Sequence, residues 1–172
     1  MKVQMIRKRI FNMKKWSFLI VVISLLLSSC ASTKTVVKKT PKPITKADKI
    51  VANALEYKGV RYKFGGTTNR GMDCSGVIYV AFGSENVQLP RISRDMAKRG
   101  DKIALSKVKK GDLLFFKTSK NRRGNINHVG LVVSHSKGQI KFVHATTSRG
   151  VIVSTLSEKY WKNAFVKATT IL

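Results

Sequence analysis

The chain has 172 residues, and 34 lysines and arginines against 8 acidic residues give it a formal net charge of +26. This length favours one domain with extensions over several domains. The charge indicates anionic surroundings, such as wall carboxylates, lipid head groups or acidic polymers. We expect no nucleic acid as a partner, because the chain has no arginine-rich helix and no repeat of aromatic and basic residues.

The beginning of the chain has the three regions of an export signal in their usual order. Two lysines give a basic start, residues 16–27 are almost wholly apolar, and Ser28 and Ser29 supply small side chains. The apolar run is too short to span a bilayer, for which a helix needs about 20 residues. We therefore predict a signal peptide over residues 1–29.

The end of this signal, Leu27-Ser28-Ser29-Cys30, resembles the lipobox of bacterial lipoproteins. The resemblance implies that Cys30 is the acylated first residue of the mature chain; the alternative is an ordinary signal peptide that contains a cysteine. Several acyl chains on one residue would hold the protein stably in a membrane. Ala31 carries no acidic retention signal, which favours a lipid-anchored protein of the bacterial cell envelope, in the outer membrane and facing the periplasm.

Residues 30–46 are predicted to be the lipidated cysteine and a flexible basic tether, because they are polar and contain Pro41 and Pro43. A folded domain is predicted over residues 47–172, which is long enough to bury a core. With Cys30 lipidated, the second cysteine of the chain, Cys74, has no disulfide partner and needs a chemical explanation.

Helical patterns come first in this domain. Apolar residues recur at helical spacing before a stop at Gly59, with Thr45 or Asp48 as the candidate cap: Ile50, Val51, Ala54 and Leu55. A second helix is predicted to begin at Cys74 and to continue through the apolar residues 77–82. Residues 83–94 are expected to be irregular, and residues 95–102 are predicted to form a short helix that Gly100 ends.

Strand patterns follow from Gly111 onward. Short apolar or β-branched runs, separated by glycine, serine and lysine, predict strands over residues 112–116, 128–134, 139–145, 150–154 and 160–172. Residues 117–127 are expected to form a polar, basic loop. Helices followed by strands indicate an α+β domain.

Cys74 is the first candidate functional residue. A cysteine between a glycine-flanked turn and an apolar helix lies at a helix N-terminus, where the exposed N–H groups and the helix dipole favour the thiolate. The alternative is a small buried thiol, since free cysteine is among the most buried residue types.

Strand geometry separates the three histidines. If residues 131–134 and 139–143 form a hairpin, His144 lies opposite Gly130 and on the same face as His128, about 7–8 Å away. His135 has the opposite parity and is expected to face solvent. Cys74, His128 and His144 then form a nucleophile, a base and an orienting residue, with the Cys74 N–H and the Tyr62 hydroxyl stabilising the oxyanion.

A zinc site on the same three residues is the chemical alternative. It is disfavoured because the chain has no paired CxxC or HxxxH spacing and no evident fourth ligand. We expect no metal and no other cofactor.

Five ordered blocks of the domain resemble the NlpC/P60 cell-wall peptidases. They are Tyr62-Lys63-Phe64-Gly65-Gly66, Asp73-Cys74-Ser75-Gly76, Gly111-Asp112-Leu113-Leu114-Phe115-Phe116, Asn127-His128-Val129-Gly130 and Phe142-Val143-His144-Ala145. The resemblance implies a papain-like α+β fold, with N-terminal helices and the nucleophile helix packed on an antiparallel sheet. It also implies that Cys74, His128 and His144 are catalytic, that Tyr62 is the active-site tyrosine, and that the substrate peptide is bound by Asp73, Ser75, Arg91 and Ser93.

The expected function is that of a lipid-anchored thiol endopeptidase that cuts stem peptides or cross-links of peptidoglycan during cell-wall remodelling. Its expected partners are peptidoglycan and, through the lipid on Cys30, a membrane; it is expected to be a monomer. Two alternatives use the same fold. One is a non-catalytic lipoprotein that binds the wall, and the other is a thiol acyltransferase.

Overall fold

The computed structural model describes residues 43–118 and 125–172. The predicted signal peptide, Cys30 and most of the predicted tether lie outside these ranges, as do residues 119–124 of the basic loop. In the described part of the chain, no helix is both long and apolar enough to cross a membrane.

Helix α1, Lys46–Glu56, begins with a capping box that uses both residues considered as its cap. The Asp48 N–H donates to Thr45 Oγ1 over 3.1 Å, and the Thr45 N–H donates to Asp48 Oδ2 over 3.0 Å. These two bonds satisfy N–H groups that the helix itself leaves without a partner. The helix buries Ile50, Val51 and Ala54, so the predicted helix and its apolar face are confirmed.

Helix α2, Cys74–Gly83, also begins where the sequence predicts, directly after a two-stranded ribbon of β1, Thr67–Thr68, and β2, Gly71–Met72. The side chains of α2 that pack across the sheet are wholly buried: Val77, Ile78, Ala81 and Phe82. A single turn, α3, follows at Ser93–Met96.

One antiparallel sheet of six strands forms the rest of the domain, in the order β3-β8-β4-β5-β6-β7. Its strands are β3 Asp101–Ile103, β4 Leu113–Phe116, β5 His128–Ser136, β6 Gln139–Thr146, β7 Gly150–Thr155 and β8 Phe165–Thr170; the helix α4, Lys159–Ala164, connects the last two. The predicted α+β class, with helices before an antiparallel sheet, is therefore confirmed.

Two predicted elements are wrong. Residues 95–102 are not a helix, because the turn α3 ends at Met96 and Asp101–Ile103 pairs with β8 as an edge strand. Residues 160–172 are not one strand, because Trp161 and Ala164 are buried at the i, i+3 spacing of a helix before β8 begins.

Both faces of the sheet are covered, which is why the central strand β4 is apolar and buried at every position. Alternate residues such as Phe115, Val129 and Leu131 belong to the core beneath α1 and α2. The residues between them, such as Phe116 and Phe142, join a second core that includes Trp161.

Gly130 allows a close approach between neighbouring strands. A Cβ atom at this position would lie 2.4 Å from Cδ2 of Phe142, whose ring is wholly buried and stacks on Phe116 at 5.1 Å. We expect Gly130→Ala to lower the free energy of unfolding by about 1–3 kcal/mol, because the buried Phe142 ring cannot move away from the added methyl group. Urea denaturation measures this effect.

Gly83→Ala is the matched control for this prediction. An added Cβ at Gly83 meets no atom within 4 Å, and the backbone there is helical. We expect this substitution to leave stability unchanged or slightly raised. Equal destabilisation by both substitutions would contradict the packing explanation.

Candidate active site

Cys74 is the first residue of α2, and Asp73 is the cap of that helix. The Gly76 N–H donates to Asp73 Oδ1 over 2.6 Å. Gly76 also permits the chain to pass close by, because a Cβ there would lie only 2.1 Å from the carbonyl oxygen of Gly66. Gly76 thus lets the loop that precedes α2 pack on the first turn of the helix.

Asp73 lies at the centre of a polar network. Its carboxylate accepts hydrogen bonds from the Gly65 N–H at 2.8 Å, from the Ser75 hydroxyl at 3.1 Å, and from both terminal nitrogens of Arg91 at 3.0 and 2.9 Å. Burial alone would raise the pKa of Asp73, but the bonds from Arg91 and the Gly76 N–H outweigh it and hold that pKa below its usual value. The carboxylate is therefore ionised and fully engaged near neutral pH.

Three of the four predicted substrate-binding residues contact one another in this network. Arg91 also donates to Ser75 Oγ over 2.9 Å, so Asp73, Ser75 and Arg91 bind one another. Ser93 is buried at the start of α3. A direct contact of these four side chains with substrate stays a prediction, whereas their support of the loop before Cys74 is visible in the structure.

A cleft of about 450 Å³ opens beside Cys74 and His128. Other residues of its wall include Tyr62, Asn127, Arg149, Glu158 and Trp161. The backbone N–H of Val129, the residue after His128, is close enough to Cys74 to lower the pKa of its thiol, against the effect of burial. The structure therefore brings the predicted nucleophile and the predicted base to one cavity.

His128 and His144 meet on neighbouring strands. Nε2 of His128 lies 3.0 Å from Nδ1 of His144, and the ring centroids are 5.1 Å apart. Leu131 pairs with Val143, and this register, continued by one pair, puts Gly130 opposite His144 as expected from the hairpin. The two rings are closer than the strand spacing alone suggested because they turn toward each other.

The predicted position of His135 is wrong. The register shifts between Val132 and Ser134. This bulge turns His135 to the face of the sheet that carries His128, where it pairs with Ile140 and is only partly exposed. Its Nδ1 lies 2.7 Å from the carbonyl oxygen of Val108. His135 is seven residues along the strand from His128, roughly 23 Å at the usual rise, and it does not line the cleft.

Comparison with known proteins agrees with this geometry, since residues 59–170 match the NlpC/P60 family. The chain belongs to the NlpC/P60 family. It is 40% identical over 127 residues to a probable endopeptidase NlpC homologue of Haemophilus influenzae, covering 73% of this chain and 63% of that one. It is 36% identical over 125 residues to the murein DD-endopeptidase MepS/murein LD-carboxypeptidase of Escherichia coli K12, covering 72% and 62%.

The chain thus spans less than two thirds of the length of these two relatives. Among solved structures, it is similar to an NlpC/P60 family protein from Bacillus cereus, with a TM-score of 0.67 and 25% identity over 76% of this chain and 41% of that one. This likeness agrees with the papain-like α+β fold expected of an NlpC/P60 domain.

Burial sets the protonation states in this NlpC/P60 site. Burial raises the pKa of the Cys74 thiol, and the nearby Asp73 carboxylate adds to the rise, although N–H groups including that of Val129 oppose it. Burial lowers the pKa of His128 and that of His144. Burial therefore favours a neutral thiol and a neutral imidazole, and it opposes the preference for thiolate expected at the helix N-terminus.

Two further residues beside the histidines escaped the sequence analysis. Ser154 Oγ lies 3.0 Å from Nε2 of His144, and the Trp161 ring stacks on His128 with centroids 5.2 Å apart. Ser154 gives only a weak signal, because it is a polar residue directly after the apolar run 151–153 and the next residue, Thr155, is polar too. Trp161 gives none, because the residues around it fit a strand pattern.

The described residues contain no group of three or more histidine, cysteine or acidic side chains placed to hold a metal ion. Since Nε2 of His128 and both nitrogens of His144 already have partners within the chain, these rings are arranged as a hydrogen-bonded pair.

We expect the native Cys74 thiol to titrate above the pKa of an ordinary cysteine, since burial opposes its charge. Its rate of alkylation by iodoacetamide should rise steadily from pH 6 to pH 9. At pH 7 the rate should be lower than that of an unstructured cysteine peptide, which serves as the control. A plateau of high reactivity below pH 7 would instead indicate a resting thiolate–imidazolium pair.

Proposed function

We propose that this chain is a thiol endopeptidase that hydrolyses peptide bonds in peptidoglycan. The observation that carries the proposal is the cleft shared by Cys74 and His128, with His144 bonded to the far nitrogen of His128. The names of the relatives, a probable endopeptidase and a murein DD-endopeptidase, support the same class of substrate. The family is one of cysteine peptidases, and Cys74, His128 and His144 lie in the sequence blocks that resemble it.

His128 acts as the base in the first half of the reaction. As the Cys74 sulfur attacks the scissile carbonyl carbon, its proton moves to Nδ1 of His128, since Nε2 is bonded to His144. The imidazolium then returns this proton to the leaving amine, and an acyl-enzyme remains. In the second half a water molecule gives its proton to His128 and attacks the acyl carbon, which releases the acid and the thiol.

The carbonyl oxygen becomes negatively charged during each attack and needs hydrogen-bond donors. The Cys74 N–H lies at the N-terminus of α2, where the helix leaves it without an internal acceptor. Tyr62 lines the same cleft, and burial raises the pKa of its hydroxyl, which therefore stays protonated and able to donate. These two groups form the proposed oxyanion hole.

Charges on the cleft wall favour an acidic substrate. Arg149 lines the cleft from the turn between β6 and β7. Among the described residues of that wall, the other charged one is Glu158, which has one carboxylate oxygen bonded to the Thr155 N–H at 2.7 Å. Stem peptides carry several carboxylates, and the cut bond is proposed to involve a diamino acid, at either a D-alanine cross-link or a γ-linked D-glutamate.

Attachment to a membrane is a separate part of the proposal. It rests on Cys30 and on the basic, apolar and small-residue order before it. Acylated there, the domain would be tethered in the outer membrane and face the periplasm. We expect Cys30→Ala to move the protein from the membrane fraction to the soluble fraction without changing its peptidase activity; a protein that stays bound after a high-salt wash would exclude the lipid as its anchor.

Digestion of sacculi by purified protein tests the peptidase activity. We expect His128→Ala to lower turnover by about 10²- to 10⁴-fold, the usual contribution of a general base, and His144→Ala to lower it somewhat less. His135→Ala is the matched control and should retain activity. The fragment masses identify the bond that is cut.

Two results would replace the proposal. Binding to sacculi without release of any fragment would favour the non-catalytic wall-binding lipoprotein. Transfer of an acyl group to an amine or lipid acceptor, without hydrolysis, would favour the thiol acyltransferase. Equal losses in the His128, His144 and His135 variants would contradict the assignment of roles.

We expect Arg149→Gln to raise KM for an acidic stem peptide by about twofold to fivefold with little change in kcat, because an exposed charge contributes modest binding. Arg99→Gln removes an exposed arginine that does not line the cleft and is the control. Amidating the carboxylates of the substrate should abolish the difference between Arg149→Gln and the unmodified protein. A fall in kcat alone would contradict a binding role.

A further inference from the structure

Ser154 completes a buried hydrogen-bond chain that starts at His128. Nε2 of His128 is 3.0 Å from Nδ1 of His144, and Nε2 of His144 is 3.0 Å from Ser154 Oγ. His144 is wholly buried, and His128 and Ser154 are 8% and 4% exposed. Water therefore has little access to these atoms, and the protein itself must satisfy them.

The direction of this chain follows from what His128 must do, and in this respect the inference rests on the proposed function. A neutral His128 can take a proton at Nδ1 only when its own hydrogen is on Nε2. That hydrogen is then donated to Nδ1 of His144, which obliges His144 to carry its hydrogen on Nε2. The Nε2–H of His144 in turn needs an acceptor, and Ser154 Oγ is in place.

The surroundings of His144 offer no substitute for this acceptor. Its ring lies 4.7 Å from that of Phe142 and 4.5 Å from that of Trp161, measured between centroids, and both of these walls are aromatic. Among the described residues, Nε2 of His144 has no hydrogen-bond partner other than Ser154. Without the hydroxyl, the buried N–H would be unsatisfied, or the hydrogen would move to Nδ1.

The second of these outcomes would disable the base. A hydrogen on Nδ1 of His144 would be donated to Nε2 of His128, and His128 would then carry its own hydrogen on Nδ1, facing the thiol instead of accepting from it. We propose that Ser154 is a positioning residue: its hydroxyl provides the buried acceptor for the Nε2–H of His144, so that His144 can accept from His128 and Nδ1 of His128 is free to deprotonate Cys74.

Three substitutions at this position test the role. Ser154→Ala removes the acceptor, Ser154→Cys keeps nearly the same volume with a weak acceptor, and Ser154→Thr keeps the hydroxyl. We expect the alanine and cysteine variants to lower kcat by about tenfold to a hundredfold with little change in KM, because a buried donor loses its partner. The threonine variant should recover most of the activity.

Thr169→Val is the matched control for removing a buried hydroxyl. Thr169 is 1% exposed, and its Oγ1 has no hydrogen-bond partner in the described structure. We expect this variant to keep full activity. Thermal unfolding of every variant separates a loss of folded protein from a loss of catalysis.

A second measurement does not depend on turnover. Imidazole nitrogen NMR of the folded, ¹⁵N-labelled protein should show the hydrogen on Nε2 of both His128 and His144, and Ser154→Ala should move it to Nδ1 in a substantial fraction. A hydrogen already on Nδ1 in the unmodified protein, or full activity in Ser154→Ala, would overturn the inference. Unmodified protein that cuts no peptidoglycan, yet shows the Nε2 tautomers, would instead count against the proposed function alone.

Discussion

The hydrogen bond between His128 and His144 depends on the register of two strands. A shift of one residue between β5 and β6 would move one imidazole to the opposite face of the sheet. The same register puts Gly130 opposite His144, where the missing side chain leaves room for the Phe142 ring. The packing of the second core and the geometry of the proposed base are consequently set by the same strand pairing.

Burial then determines how the site works. Taking Cys74 and His128 out of water disfavours both the thiolate and the imidazolium; in the proposed mechanism, charge would therefore develop mainly as the carbonyl group is attacked. The neighbouring residue Asp73 is charged instead, and its carboxylate is paired with Arg91 at 2.9 Å. That pair fixes the cap of α2.

Most of the fold was predictable, because local signals agree with the final packing. The capping box of Thr45 and Asp48, the glycines around Cys74 and the alternation in β5 and β6 are all visible in the sequence. The edge strand after Gly100 was not, because its pairing with β8 joins segments about 70 residues apart. The bulge that turns His135 inward was not predictable either, because it depends on how β5 pairs with β6. For the candidate site, pattern and family resemblance supplied three residues, whereas Ser154 and Trp161 required the register of β7 and the position of α4.

The burial of Cys74 has a consequence for the lifetime of the protein. Oxidants and disulfides react with thiolates, so a buried cysteine that is mostly protonated reacts slowly with either. Such a thiol would be preserved between encounters with substrate. The burial that favours the protonated thiol would thus also slow its oxidation.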